Sequence, residues 1–205
     1  AVAKTVEESG WFMTLEASAG IYSDLHNRIG LFETAKDGID WHDNPEISSP
    51  GDGVSLFFKN SKDDKNIEIT SDIKSLDSET KVWDAFIRNQ TKSEVELTWS
   101  FTQKMDNDMV LRIVDINTRR VIDPNSVSSL SLGEVSGRYD RGLKIISGSE
   151  SQVAAKVAEV LALVPEKLSV DGNYPNPFNP TTTIRYGIPE PSDVRITVVN
   201  ILGQE

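Results

Sequence analysis

One pattern recurs along most of this chain and restricts what it can become: short runs in which apolar and polar residues alternate. Residues 94–101 are the clearest case. Val95, Leu97, Trp99 and Phe101 fall on one side and Glu94, Glu96, Thr98 and Ser100 on the other, the period-two signature of a strand with one buried face. The arrangement starts at Trp11, where Trp11, Met13, Leu15 and Ala17 oppose Phe12, Thr14 and Glu16, and it returns at Val54, Leu56 and Phe58. In residues 82–88, Trp83, Ala85 and Ile87 oppose Val82, Asp84 and Phe86. Runs at 29–35, 67–73, 109–114, 120–122, 131–135 and 142–147 extend the series. Residues 117–119 read as a hairpin turn, and 62–65 and 106–108 as hairpin tips.

Many strands with no helical pattern between them imply an all-β chain, an antiparallel Ig-like or jelly-roll β-sandwich in which each sheet buries one face against the other. Trp11, Trp83 and Trp99 then belong to the core, whereas Trp41 lies in a loop rich in Gly, Pro, Asp and Asn. The exception to the strand pattern is residues 149–164. Ser149 and Gln152 have capping-box spacing, and Val153, Val157, Val160, Leu161 and Val164 recur at helical intervals until Pro165. This predicts one amphipathic helix that lays its apolar stripe on the sandwich or on a neighbouring molecule. The expected organisation is a sandwich over 1–148, helix and linker over 149–172, and a partial second β domain over 173–205.

In that last part Pro175, Pro177 and Pro180 exclude helix and stiffen the chain. Residues 181–186 read as a strand, and 193–201 as a second, with Val194, Ile196 and Val198 on one face. The wording NYPNPFNPTTTIRYGIP followed by VRITVVNILGQE closely resembles the C-terminal sorting domain of type IX (Por) secretion substrates, small Ig-like sandwiches similar to that of flagellar hook-capping proteins. The residues that carry the resemblance are Asn173, Tyr174, Pro175, Asn176, Pro177, Phe178, Asn179 and Pro180. It implies export to the bacterial surface or exterior by a dedicated secretion machinery. Family members usually continue with several more strands. The order W-x-x-x-L, GLFxxAxDGID, GVSLFF and LTW in the earlier part also resembles sandwich modules that precede sorting domains in secreted proteins of the Bacteroidota.

Composition narrows the function. Asp and Glu number 32 against 21 Lys and Arg, a formal net charge of −11, which argues against binding a phosphate backbone. The chain has no cysteine, hence neither disulfides nor a thiolate metal site. No apolar run approaches the roughly 18 residues of a membrane span. The start, AVAKTVEESG, has no signal-peptide pattern and is compatible with a mature form beginning just after cleavage.

No catalytic constellation stands out. His26 and His42 are the only histidines, both in polar contexts, and no G-x-S-x-G is present. The best cluster is Asp37, Asp40, Asp43, Asn44 and Asp52, hard oxygen ligands close enough in sequence for Ca²⁺ although without EF-hand spacing. Trp41 in the same loop is placed to stack on a sugar ring or anchor a partner. The expected function is a secreted, non-enzymatic structural or surface module, such as a filament or matrix subunit. It would associate with itself or another surface protein through its C-terminal strands. The alternative is a carbohydrate-binding module or an accessory domain of a secreted hydrolase.

Overall fold

A computed structural model describes residues 10–46, 53–62, 65–102, 108–135, 140–189, 192–199 and 202–204. Its elements in chain order are β1 (Gly10–Ala19), β2 (Tyr22–Phe32), β3 (Asn44–Pro45), β4 (Val54–Lys62), β5 (Lys65–Ser75), β6 (Lys81–Asn89), β7 (Val95–Phe101), β8 (Val110–Asp115), β9 (Arg120–Ile122), β10 (Ser129–Gly133), β11 (Arg141–Gly148), α1 (Glu150–Ala162), β12 (Ser169–Tyr174) and β13 (Thr183–Gly187). The chain is all-β with one helix, as the alternation predicts. It divides into two compact units, Ala1–Leu161 and Ala162–Glu205. The helix therefore falls with the first unit rather than into a separate linker region.

In the first unit, eleven strands form one sheet in the order β10-β7-β1-β2-β5-β4-β6-β11-β8-β9, with β3 attached to β5. The sheet folds over on itself. Trp11 on β1 and Trp83 on β6 lie four strand spacings apart in that order, about 19 Å on a flat sheet, yet their ring centroids are 6.2 Å apart in an edge-to-face arrangement. The core between the two layers takes Trp11, Met13 and Leu15 from β1, Leu56 and Phe58 from β4, Trp83 and Ile87 from β6, and Leu97 and Trp99 from β7, the inward positions that the alternation marks.

The connectivity differs from an antiparallel sandwich of two sheets in that one sheet supplies both layers and one strand pair is parallel. Residues 65–69 of β5 run antiparallel to β4, whereas 71–75 run parallel to β2. Thr70, between the two registers, is where the strand leaves one layer for the other. Because β5 departs, part of β4 loses a neighbour on that side, and the Leu56 amide donates to Asp24 Oδ2 (2.6 Å). The β1–β2 ladder shifts register between Leu15 and Ala17, and His26, at φ 71°, sits in the extra stretch of β2.

Ser149 begins α1 with the expected reciprocal cap: its amide donates to Gln152 Oε1 (2.9 Å), and the Gln152 amide donates to Ser149 Oγ (3.4 Å). The helix stripe, Val153 and Val160 with Val157 and Leu161, packs on Val114 and Ile146 and on Val82 and Val110. Of the two expected resting places for the stripe, the sandwich is the one observed.

The second unit holds a two-stranded antiparallel sheet of β12 and β13. β12 lies where a linker was expected. The run at 193–201 is corrected: its described residues, 193–199, form no strand. Apolar alternation supplies a face, but a strand also requires a ladder partner, and Pro189 and Pro191 upstream offer no amide to one.

Candidate functional site

The acidic loop is built around the edge of β5. Along residues 71–75 one side of this strand pairs with β2, and the other meets the loop at alternate residues. Asn44 pairs with Ser71, the Ile73 amide donates to Asp43 Oδ1 (2.9 Å), and the Ser75 amide donates to Asp37 Oδ1 (3.2 Å). Side-chain carboxylates thus stand in for the carbonyls of a missing neighbour strand, which covers an edge that would otherwise invite pairing. The loop is tied to itself in the same way. Asp40 Oδ1 and Oδ2 accept from the amides of His42 and Lys36 (both 2.8 Å), and Asp43 Oδ2 accepts from that of Asp40 (2.8 Å).

The loop itself engages most of the residues expected to bind calcium. Asp40 and Asp43 direct both oxygens to backbone amides and Asn44 sits in β3, while Asp52 lies outside the described residues, as do parts of the hairpin tips at 62–65 and 106–108. Among the described residues, the acidic group that could hold a metal ion is instead Asp37, Asp77 and Glu79, all exposed. A lysine already occupies it: Lys81 Nζ lies 2.8 Å from both Asp37 Oδ2 and Asp77 Oδ2, with its side chain 2% exposed. Burial alone would pull the Lys81 ammonium down, but the bonds to Asp37 and Asp77 outweigh it and hold its pKa above the ordinary value. A readable signal was missed here, since Lys81 shares the inward parity of Trp83, Ala85 and Ile87.

Beside the loop lies Asp72, 1% exposed. Its Oδ1 accepts from Asn60 Nδ2 (3.1 Å) and faces Lys74 Nζ (3.2 Å), while Oδ2 has no hydrogen-bond partner. Burial pushes its pKa up to about 6, against the pull of Lys74 and with help from the charge of Asp43. Burial likewise raises Asp43 and Glu46. Between the unfolded carboxylate value of about 3.9 and this raised value the folded state keeps a proton that the unfolded chain has lost, so stability increases as pH falls through that window. Asp37 and Asp77 are held below the usual carboxylate range despite any desolvation, by their bonds to Lys81 and their neighbours. Their contribution is present above the unfolded value and lost only below it. The melting temperature should therefore climb from pH 7.5 to pH 5 and turn over below pH 4, with a smaller climb in Asp72→Asn. A calorimetric profile that is flat in the wild type, or equally steep in the variant, would refute this origin.

In the second unit the resemblance-bearing residues end β12, at Asn173 and Tyr174, and form most of the connection to β13. Asn173 Nδ2 donates to Thr182 Oγ1 (3.2 Å), Asn176 Nδ2 to Asn173 Oδ1 (3.4 Å), and Thr182 Oγ1 to the Pro175 carbonyl (2.9 Å). These bonds close the loop without burying it. Tyr174 is 79% and Phe178 55% exposed, and Pro175, Pro177, Asn179 and Pro180 are exposed too. Val170, Ile184 and Tyr186 share one face of the hairpin and, with Leu168, Val194 and Ile196, line an open cleft of about 470 Å³. No described residue of 162–205 is buried. The apolar side chains that would make a core are present and partly cover one another, but none of those described is buried.

Fold and site together define an all-β protein with a folded-over eleven-stranded sheet and a small hairpin unit in which no described residue is buried. Comparison with protein-family models, with curated proteins and with solved structures found no match to this chain. No helix among the described residues is long and apolar enough to cross a membrane.

Proposed function

We propose that this chain is a secreted, non-enzymatic structural module of a bacterial surface or extracellular matrix, directed outward by the C-terminal segment and assembling through it. The observation that carries the reading is a second unit in which no described residue is buried. Two strands alone are marginal in water, and this pair displays Val170, Ile184 and Tyr186 on an open face. The occupant best suited to it is residues 192–199 of a second copy. That stretch alternates Val194, Ile196 and Val198 with Arg195 and Thr197 and belongs to no ladder in its own chain. Added to the hairpin edge, it would supply backbone hydrogen bonds and bury three aliphatic side chains, worth about 1.5–3 kcal/mol each. The NYPNPFNP wording supports export of the same segment.

Sedimentation or light scattering of the full chain across micromolar concentrations tests the assembly. Concentration-dependent oligomers are expected, lost on Ile196→Asp and on removal of residues 173–205. A wild type that stays monomeric, or an assembly unaffected by the removal, would end this reading.

A further inference from the structure

We infer that the outer face of β1 and β2, with the loop beside it, is a binding strip for a neutral polysaccharide. This site lies entirely in the first unit and does not depend on how the second one assembles.

The strip is a row of rings. Trp41 stacks on His42 with centroids 3.6 Å apart and planes 30° apart. His42 lies 5.8 Å from Phe32 at 19°, and Phe32 lies 6.5 Å from Phe12 at 26°. The Arg28 guanidinium ends the row, 5.3 Å from the Phe12 centroid. Phe12 and Phe32 have the parity opposite to Trp11 and Leu31, so they face away from the core.

Two glycines seat the phenylalanines. Phe12 pairs across the ladder with Gly30, and Phe32 with Gly10. A Cβ on Gly30 would lie 2.8 Å from Phe12 Cβ, and one on Gly10 would lie 2.8 Å from the Phe32 ring. The Phe32 ring thus reclines over bare backbone, which keeps the strip low against the sheet.

The exposed end is held rather than loose. His42 Nε2 lies 3.0 Å from Thr34 Oγ1, and the backbone around Trp41 is fixed by the Asp40 and Asp43 carboxylates. Trp41 is nevertheless 72% exposed, while Trp11, Trp83 and Trp99 are at most 7% exposed. A large aromatic side chain held in water on a pinned loop loses little freedom on binding, the condition under which a contact yields affinity.

Charge selects the class of ligand. Asp40 and Asp43 flank Trp41 and His42 in the loop on a chain of net charge −11, which repels nucleic acids and acidic glycans. A neutral sugar polymer offers what the strip can use. The apolar C–H faces of its rings can lie on the aromatic side chains, and its hydroxyls can exchange hydrogen bonds with Arg28 and Thr34. Its extended shape fits a row better than a pit.

Affinity electrophoresis of the full chain in gels containing hydroxyethyl cellulose, glucomannan or xylan tests the assignment, with alginate as the anionic control. Retardation by at least one neutral polymer is expected, reduced tenfold or more by Trp41→Ala, partly restored by Trp41→Phe, and weakened by Arg28→Ala. Trp41 is exposed, so its replacement should leave the melting temperature unchanged. The bound polymer should also protect tryptophan fluorescence from acrylamide in the wild type and not in Trp41→Ala. Migration unaffected by all three neutral polymers, equal retardation of Trp41→Ala, or retardation by alginate alone would overturn it.

Discussion

Replacing Trp83 with alanine is expected to produce the largest loss of stability of any single substitution in the first unit. The side chain is fully buried and touches Trp11 across the fold-over of the sheet. Truncations of this size cost about 3–5 kcal/mol through lost burial and the cavity left behind. The indole Nε1–H also donates to the Asp72 carbonyl (2.9 Å); losing it adds about 1 kcal/mol. Domains typically hold only about 5–15 kcal/mol, so the variant should be substantially unfolded or melt far below the wild type. Trp83→Phe keeps most of the apolar contact and removes only the donor, so it should lose roughly 1–2 kcal/mol. Denaturant titration followed by circular dichroism measures both. An alanine variant that loses less than the phenylalanine variant would mean that the two layers do not close at this point.

The second large effect concerns Lys81. Removing both carboxylates, in Asp37→Ala/Asp77→Ala, leaves the ammonium of a side chain only 2% exposed with the Ser75 hydroxyl (3.0 Å) and no counter-charge, and such an uncompensated charge costs about 3–5 kcal/mol. For a unit of this size, that corresponds to a fall in melting temperature of about 10 °C. The carboxylates are 51% and 42% exposed, so Lys81→Met, which returns them to water, should be much milder. This asymmetry is the test. If Lys81→Met is as damaging as the double variant, the three charges matter as attraction between surface groups and not as compensation of a buried one. The pair of shifts also fixes the pH range: the contribution is complete between the unfolded carboxylate and lysine values, about 4 and 10, and declines outside it.

Much of the first unit could be read from residue order because each strand has one wet face. β7 buries Val95, Leu97 and Trp99 in alternation, and β1 does the same from Trp11 to Ala19. The capping box at Ser149 was legible because it is local. What sequence could not show was non-local. The first half of β2, from Tyr22, is largely polar and exposed and is a strand because β1 pairs with it. β5 reads as one strand, and nothing in its wording announces that its two halves serve different layers. The acidic loop is ambiguous for a related reason. Asp and Asn are the residues of calcium cages and also those whose short side chains bind backbone amides. Only the position of the β5 edge decides between the two. In the second unit, 193–199 carries the correct alternation with no ladder to join, which one chain's sequence cannot reveal.

The division of β5 between two layers has a consequence for how the first unit opens. A sandwich of separate sheets can lose one sheet's edge while the other persists. Here residues 65–69 and 71–75 are hydrogen-bonded into opposite layers by one continuous backbone, and releasing either half strains the other. Amide protons on both sides of Thr70 should exchange with solvent at one common, slow rate set by global unfolding, and those of β12 and β13 should exchange orders of magnitude faster.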